Sequence, residues 1–286
     1  FLLAAIYYFF RAKVLCNMLS YQNVRNALFM FVIITYLNRI VQVSGQEQAL
    51  LDHRKIFSAR GCLKDHFKIL TQIPRIYGAY MGPNAIDPKT SEKIMLAVNS
   101  ANKCPYCTEL HGELSRMADV QERETIKQAN SIKEVKKAVP NESVIFARIF
   151  GETSGRGERL QQAYESLKQS VGPQKAASVN ALCWFLHWGS ICGNTLNHFL
   201  FQTLQFKTKK GANVLFLALF SCYYSVCYIL IKITSALFRF LPSSVPQFVS
   251  ACIGIVLASV ASLWIIPLGV IGGVLLPLLG KGPNTI

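Results

Sequence analysis

Apolar residues recur at helical spacing through the middle of the chain. From Pro88 to Lys103, Ile94, Met95, Ala97, Val98 and Ala101 fall on a helical period, with Asp87 placed to cap the helix and Pro88 at its first position. Leu110, Leu114 and Met117 repeat the period after Lys103, and segments 131–139, 144–150, 160–171 and 174–204 continue it. Strand-like alternation bounded by turns is scarce. The pattern predicts an all-α fold, with a helical domain over residues 44–206.

The pattern changes toward the C-terminus. Val214 to Ile231 is an uncharged apolar run, and the 33 residues 247–279 carry no charge at all. A membrane-spanning helix needs about 20 apolar residues, and both stretches reach that. Residues 207–286 therefore predict a transmembrane hairpin, with spans at about 213–235 and 247–279 and a turn holding Pro242, Ser243, Ser244 and Pro246. Pro267 and Gly272-Gly273 are expected to kink or end the second helix. The alternative is a hairpin buried in a large soluble core. At the other end, Phe1–Phe10 is short and apolar, and Ala27–Leu37 is an apolar core flanked by Arg25 and Arg39. Residues 1–43 read as a targeting or membrane-anchor segment.

Charge sharpens this division. The chain has 286 residues, 51% hydrophobic and 16% charged, with a net charge of +15; ordinary soluble domains carry about 25% charge. Such a composition excludes a disordered chain and argues against a soluble enzyme throughout. All 15 acids lie between Glu47 and Glu165. Lys207, Lys209 and Lys210 precede the hairpin and Lys281 follows it, while Arg239 stands at its turn. The positive-inside rule then places the charged domain on the cytosolic, matrix or stromal side. An organellar membrane, mitochondrial or plastid, fits the acid-free N-terminus. The excess of basic residues suits membrane lipids with anionic headgroups, and no stripe of basic and aromatic residues suggests a nucleic-acid partner.

The candidate chemistry lies in Cys104-Pro105-Tyr106-Cys107, followed by His111. On a helix these residues share one face. Two thiols so spaced near a helix start can cycle between dithiol and disulfide. The helix N-terminus and His111 are expected to lower the pKa of Cys107 relative to Cys104. One thiolate would attack a peroxide or disulfide and the other would resolve the intermediate. A zinc site would need a fourth ligand that the spacing does not supply, and an inert buried pair is the other alternative. Cys222, Cys227 and Cys252 read as packing residues. His187 and His198 read as satisfied histidines on an apolar helix, and His53 and His66, among charges, as surface groups. Asn141-Glu142-Ser143 is a glycosylation sequon, on the unglycosylated side in the predicted orientation.

Glu92, Cys104, Pro105, Tyr106, Cys107 and His111, with their spacing, resemble the Glu-x11-Cys-x2-Cys-x3-His signature of alkylhydroperoxidase D-like proteins in the carboxymuconolactone decarboxylase superfamily. The string from Ser91 to Ala118 is similar to that family's helix, Asn-Cys turn and second helix, and the later stretch with Asn194 and Asn197 to its second helical half. The resemblance covers about residues 45–205. It implies an all-helical, often oligomeric fold and thiol-dependent reduction of peroxides or disulfides. It also implies that Cys107 attacks, that Cys104 resolves, and that Glu92 and His111 relay the proton. No tightly bound cofactor or metal is implied; the reductant would be an external dithiol, such as a lipoyl group on a carrier protein. Tyr106 departs from the best-studied peroxidases, which carry histidine there, and a phenol is a poor base at neutral pH. The decarboxylase branch lacks the cysteine pair, so its activity is not implied.

Cys-Pro-Tyr-Cys is also the glutaredoxin string, with Ala138-Val139-Pro140 as a candidate proline loop, but that fold requires strands around the motif. Two functions remain. One is a membrane-anchored oxidoreductase reducing hydroperoxides, lipid ones included, or a partner disulfide. The other is a non-enzymatic scaffold subunit of a membrane complex that retains the fold.

Overall fold

The computed structural model describes residues 54–201 and 213–278. The predicted N-terminal segment and Lys207, Lys209, Lys210 and Lys281 lie outside them. The chain divides into two compact units, one of residues 1–53 and 198–210, the other of residues 54–197 and 211–286. Of the first, only the end of one long helix is described. The second holds the other described residues.

It is helical throughout: α1 (Ala59–Leu70), α2 (Ile73–Tyr80), α3 (Pro88–Asn102), α4 (Pro105–Met117), α5 (Arg123–Gln128), α6 (Ile132–Ala138), α7 (Glu142–Thr153), α8 (Glu158–Val171), α9 (Pro173–Phe201, whose last residues enter the first unit), α10 (Val214–Phe238) and α11 (Gln247–Leu278). No strand occurs among the described residues, only an isolated bridge from Ala118 to Ser244. The glutaredoxin alternative, which requires a sheet, is therefore excluded. Local signals start the helices. Asp87 accepts the Thr90 amide hydrogen ahead of Pro88, Ser131 caps α6, and Asn141 of the sequon caps α7 by accepting from Ser143.

Helix α3 is the centre of the domain, with Ile94 to Asn99 all buried. Its partner α7 comes close at Gly151, where a β-carbon would stand 2.8 Å from the Val98 carbonyl oxygen. Helix α9 is buried almost all round from Ala181 to Leu196.

Helices α10 and α11 are long and apolar enough to cross a membrane. Their outer faces are apolar and exposed, with Leu219, Val226, Leu263 and Val274 among the open residues, so the hairpin is not buried inside this domain. Each helix packs on the domain rather than mainly on the other: α10 on α4, and α11 on α1 and α2. The turn is bonded to the end of α4. Arg116 donates to the carbonyls of Phe238 and Leu241, and the Val245 amide to that of Met117. Glu109 pairs with Lys232 and Arg239.

Helix α11 runs unbroken through Pro267 and Gly272-Gly273. The helix does not end there, and the glycines serve contact. At Gly272 a β-carbon would lie 2.5 Å from the Leu63 carbonyl oxygen, and at Gly269 2.9 Å from the Leu70 side chain. Cys222 and Cys252 are exposed rather than packed, whereas Cys227 is buried.

His66 is not the surface group its charged neighbours suggest. It is 1% exposed, because Trp188 of α9 and Phe57 close on its ring. Its Nδ1 meets the Cys62 carbonyl at 2.8 Å, and its Nε2 accepts the Trp188 indole N–H at 2.9 Å. His187, in the domain core, is held by Asn102 at 3.2 Å. Burial pushes His66 down to about 4 and His187 to about 3. Each folded-state pKa lies below the unfolded value, so protonation favours unfolding. Stability is complete above about pH 6.5 and is lost as pH falls toward the folded values, by about 2 kcal/mol per histidine at pH 5. The thermal midpoint of the full chain in detergent should fall between pH 7 and pH 5. A midpoint constant over that range would contradict the assignment.

Candidate redox site

Helix α3 ends where Lys103 takes a left-handed conformation, φ 55°, which turns the chain into Cys104. Cys104 becomes the N-cap of α4, and Pro105 follows at a position where no amide hydrogen is needed. The Cys107 amide donates to Cys104 Sγ at 3.3 Å. The two sulfurs lie 2.9 Å apart, and both thiols are free. Asn99, one turn earlier, fixes the turn. Its Oδ1 accepts the Cys104 amide at 3.3 Å, and its Nδ2 donates to the Cys104 carbonyl at 3.2 Å and to Thr108 Oγ1 at 2.5 Å.

Helix α9 supports the motif from behind. Asn197 accepts the Tyr106 hydroxyl at 2.8 Å, and Asn194 donates to the Asn102 carbonyl at 2.9 Å. At Gly193 a β-carbon would stand 2.7 Å from Cys104 Sγ, so only glycine leaves room for that sulfur. Tyr106 is buried, meets Tyr228 edge-on at 4.5 Å and carries Lys232 over its ring. The residue between the cysteines is thus an anchor for α9 and α10, and does not line the cavity described below. Its hydroxyl is engaged with Asn197.

His111 follows Cys107 by one turn. Its Nδ1 lies 2.9 Å from Glu92 Oε2, and both side chains are nearly buried. A carboxylate only accepts, so neutral His111 carries its proton on Nδ1 and leaves the Nε2 lone pair free. Glu92, Cys104, Cys107 and His111, singled out in the sequence, are thus brought together. Asn99 and Gly193 carry no such mark in the motif. A lone glycine inside a helix is the available signal for the second; none marks the first.

The thiol order differs from the sequence expectation. Burial raises the Cys104 thiol, but hydrogen bonds from the Cys107 thiol and from the amides of Cys107 and Tyr106 outweigh it and bring Cys104 below its usual value. Cys107 is pushed well up, first by its hydrogen bond to Cys104, then by burial. The cause is the N-cap position: the helix-start amides point at Cys104, not at Cys107.

Cys107 and His111, with Glu92 and Ser91, border a cavity of about 540 Å³ whose remaining wall is mostly apolar. Cys104 is fully buried and absent from the lining. Residues 69–147, from the end of α1 into α7, match the model of the carboxymuconolactone decarboxylase family. This segment is a carboxymuconolactone decarboxylase-family domain, alkylhydroperoxidase D-like in kind. It contains all four motif residues, whereas α9 and the apolar hairpin lie outside the match. The family includes enzymes. No curated protein and no solved structure gives a significant match. Among the described residues, the carboxymuconolactone decarboxylase-family domain holds no cluster of three or more His, Cys, Asp or Glu side chains arranged to bind a metal.

Proposed function

We propose that the protein is a membrane-anchored, thiol-dependent oxidoreductase that reduces hydroperoxides, with an external dithiol as the reductant. The observation that carries this reading is the pair of free sulfurs 2.9 Å apart, with only Cys107 open to a cavity that also holds the Glu92–His111 pair. The hairpin supports the anchor: its outer face is a continuous apolar surface of a kind that soluble monomers rarely expose.

Access assigns the attack to Cys107, and acidity assigns the resolving role to Cys104. Both thiols carry protons at the start. Cys107, the weaker acid, is the stronger nucleophile once its proton passes to His111 Nε2. Its sulfur attacks the terminal peroxide oxygen. An S–O bond forms, the O–O bond breaks, and the alcohol leaves with that proton from His111, whose charge Glu92 balances. Cys104 then attacks the Cys107 sulfur: an S–S bond forms, the S–O bond breaks, and the hydroxyl leaves as water with the proton that Cys104 gives up. Hydroperoxide and two thiols become alcohol, water and a disulfide. A dithiol carrier, such as a lipoyl group, restores the pair by exchange. The same pair can reduce a partner disulfide when one fits the cavity.

The test is steady-state consumption of an organic hydroperoxide by the full chain in lipid nanodiscs. Turnover is expected only when a dithiol is supplied, and one dithiol is spent per hydroperoxide. Absence of turnover with every dithiol tried, including a lipoylated carrier domain, would favour a scaffold role.

A further inference from the structure

The cavity over Cys107 exceeds what a small peroxide needs. At about 540 Å³ it falls among sites that enclose whole organic ligands, which span about 300–1,000 Å³. His111 and Glu92 stand with Cys107 in its lining. The Ser91 hydroxyl is buried against the Tyr80 phenol. The rest of the wall is mostly aliphatic and aromatic, and α10 and α11 supply much of it through Ile231, Ile253 and Leu257.

The route in is set by the hairpin. Helices α10 and α11 rest separately on the domain and are joined to each other where the Tyr223 hydroxyl donates to the Trp264 carbonyl and the Trp264 indole N–H to the Tyr223 carbonyl. Val256 and Phe248 line the cavity yet are 60% and 71% exposed. The cavity therefore opens onto the outer apolar face of the hairpin, the face that a bilayer would cover. All of this wall lies outside the family segment.

We infer that the substrate is a hydroperoxide carried on a long acyl chain, entering from the lipid phase past Val256 and Phe248 of α11. Its chain lies along the hairpin residues while the hydroperoxide group sits beside Cys107 and His111. The inference rests on the thiol reading above and uses the same balanced steps: the lipid hydroperoxide becomes a lipid alcohol and water, the cysteine pair becomes a disulfide, and an external dithiol restores it. The chain contributes only binding.

The experiment compares kcat/KM for a long-chain fatty acid hydroperoxide with that for tert-butyl hydroperoxide, using the full chain in nanodiscs with excess dithiol. Wild type should prefer the long chain by at least about tenfold, because each buried methylene adds to binding. Leu257→Trp and Ile253→Trp, which fill the cavity from α11, should each lower that ratio by about tenfold. A second measurement needs no variant: the matching long-chain alcohol should slow alkylation of Cys107 by iodoacetamide in wild type. A wild-type ratio near one, a ratio unmoved by both substitutions, or no protection by the alcohol would overturn the inference and leave the thiol reading standing. Failure to consume either hydroperoxide would overturn the thiol reading, and this inference with it.

Discussion

Cys107→Ser should reduce dithiol-driven hydroperoxide consumption by about a thousandfold or more, because a hydroxyl at that position has no accessible anionic form near neutral pH. Cys104→Ser should also stop turnover, but by a different route. Cys107 then reacts once and stays as a sulfenic acid, which a 1,3-diketone probe can trap and mass spectrometry can place. The substitution also removes the largest influence holding the proton on Cys107, its hydrogen bond to Cys104. The Cys107 thiol should become more acidic, and its alkylation at neutral pH faster than in wild type. Equal activity of Cys107→Ser and wild type, or a sulfenic acid found on Cys104 in preference to Cys107, would contradict the assignment of roles.

His111→Gln should lower kcat/KM by about a hundredfold or more, the usual range for loss of a positioned proton donor. Glu92 acts through His111, fixing its tautomer and balancing its charge through the 2.9 Å contact. Glu92→Gln should therefore cost less than Glu92→Ala, since an amide keeps a hydrogen bond to Nδ1 and loses only the charge. The separating readout is the pH profile. Both Glu92 variants should move its acid limb, whereas a purely structural role would lower activity evenly at every pH. Pre-steady-state oxidation of the pair by stopped flow, followed across pH, makes the comparison.

Much of the site was readable because it is local. Glu92, Cys104, Cys107 and His111 lie within 20 consecutive residues, and helical spacing alone puts them on facing sides of one helix–turn–helix. Asp87 and Pro88 marked the start of α3 for the same reason. The apolar hairpin was readable because a soluble core rarely holds so long a run without charge. What escaped depends on contacts between distant parts of the chain. Nothing near His66 announces that Trp188 will find its ring. Gly272 and Gly273 look like helix breakers in sequence, and become close contacts only once α1 lies against them. The thiol order turned on a single capping detail. With Cys104 as N-cap, the amides serve its sulfur, although the spacing of His111 favours Cys107. The cavity, too, exists only because the hairpin folds along the domain with its turn tied to Arg116.

The central claim is that Cys104 and Cys107 form one redox unit entered through Cys107. Its most direct test is stoichiometric. The fully reduced full chain in nanodiscs is treated with one equivalent of organic hydroperoxide, quenched with an alkylating reagent and mapped by mass spectrometry. The account predicts a Cys104–Cys107 disulfide in nearly every molecule, one alcohol formed per disulfide, and full recovery of both thiols on adding a dithiol. Both cysteines recovered in the reduced form, with the hydroperoxide unconsumed, would contradict it.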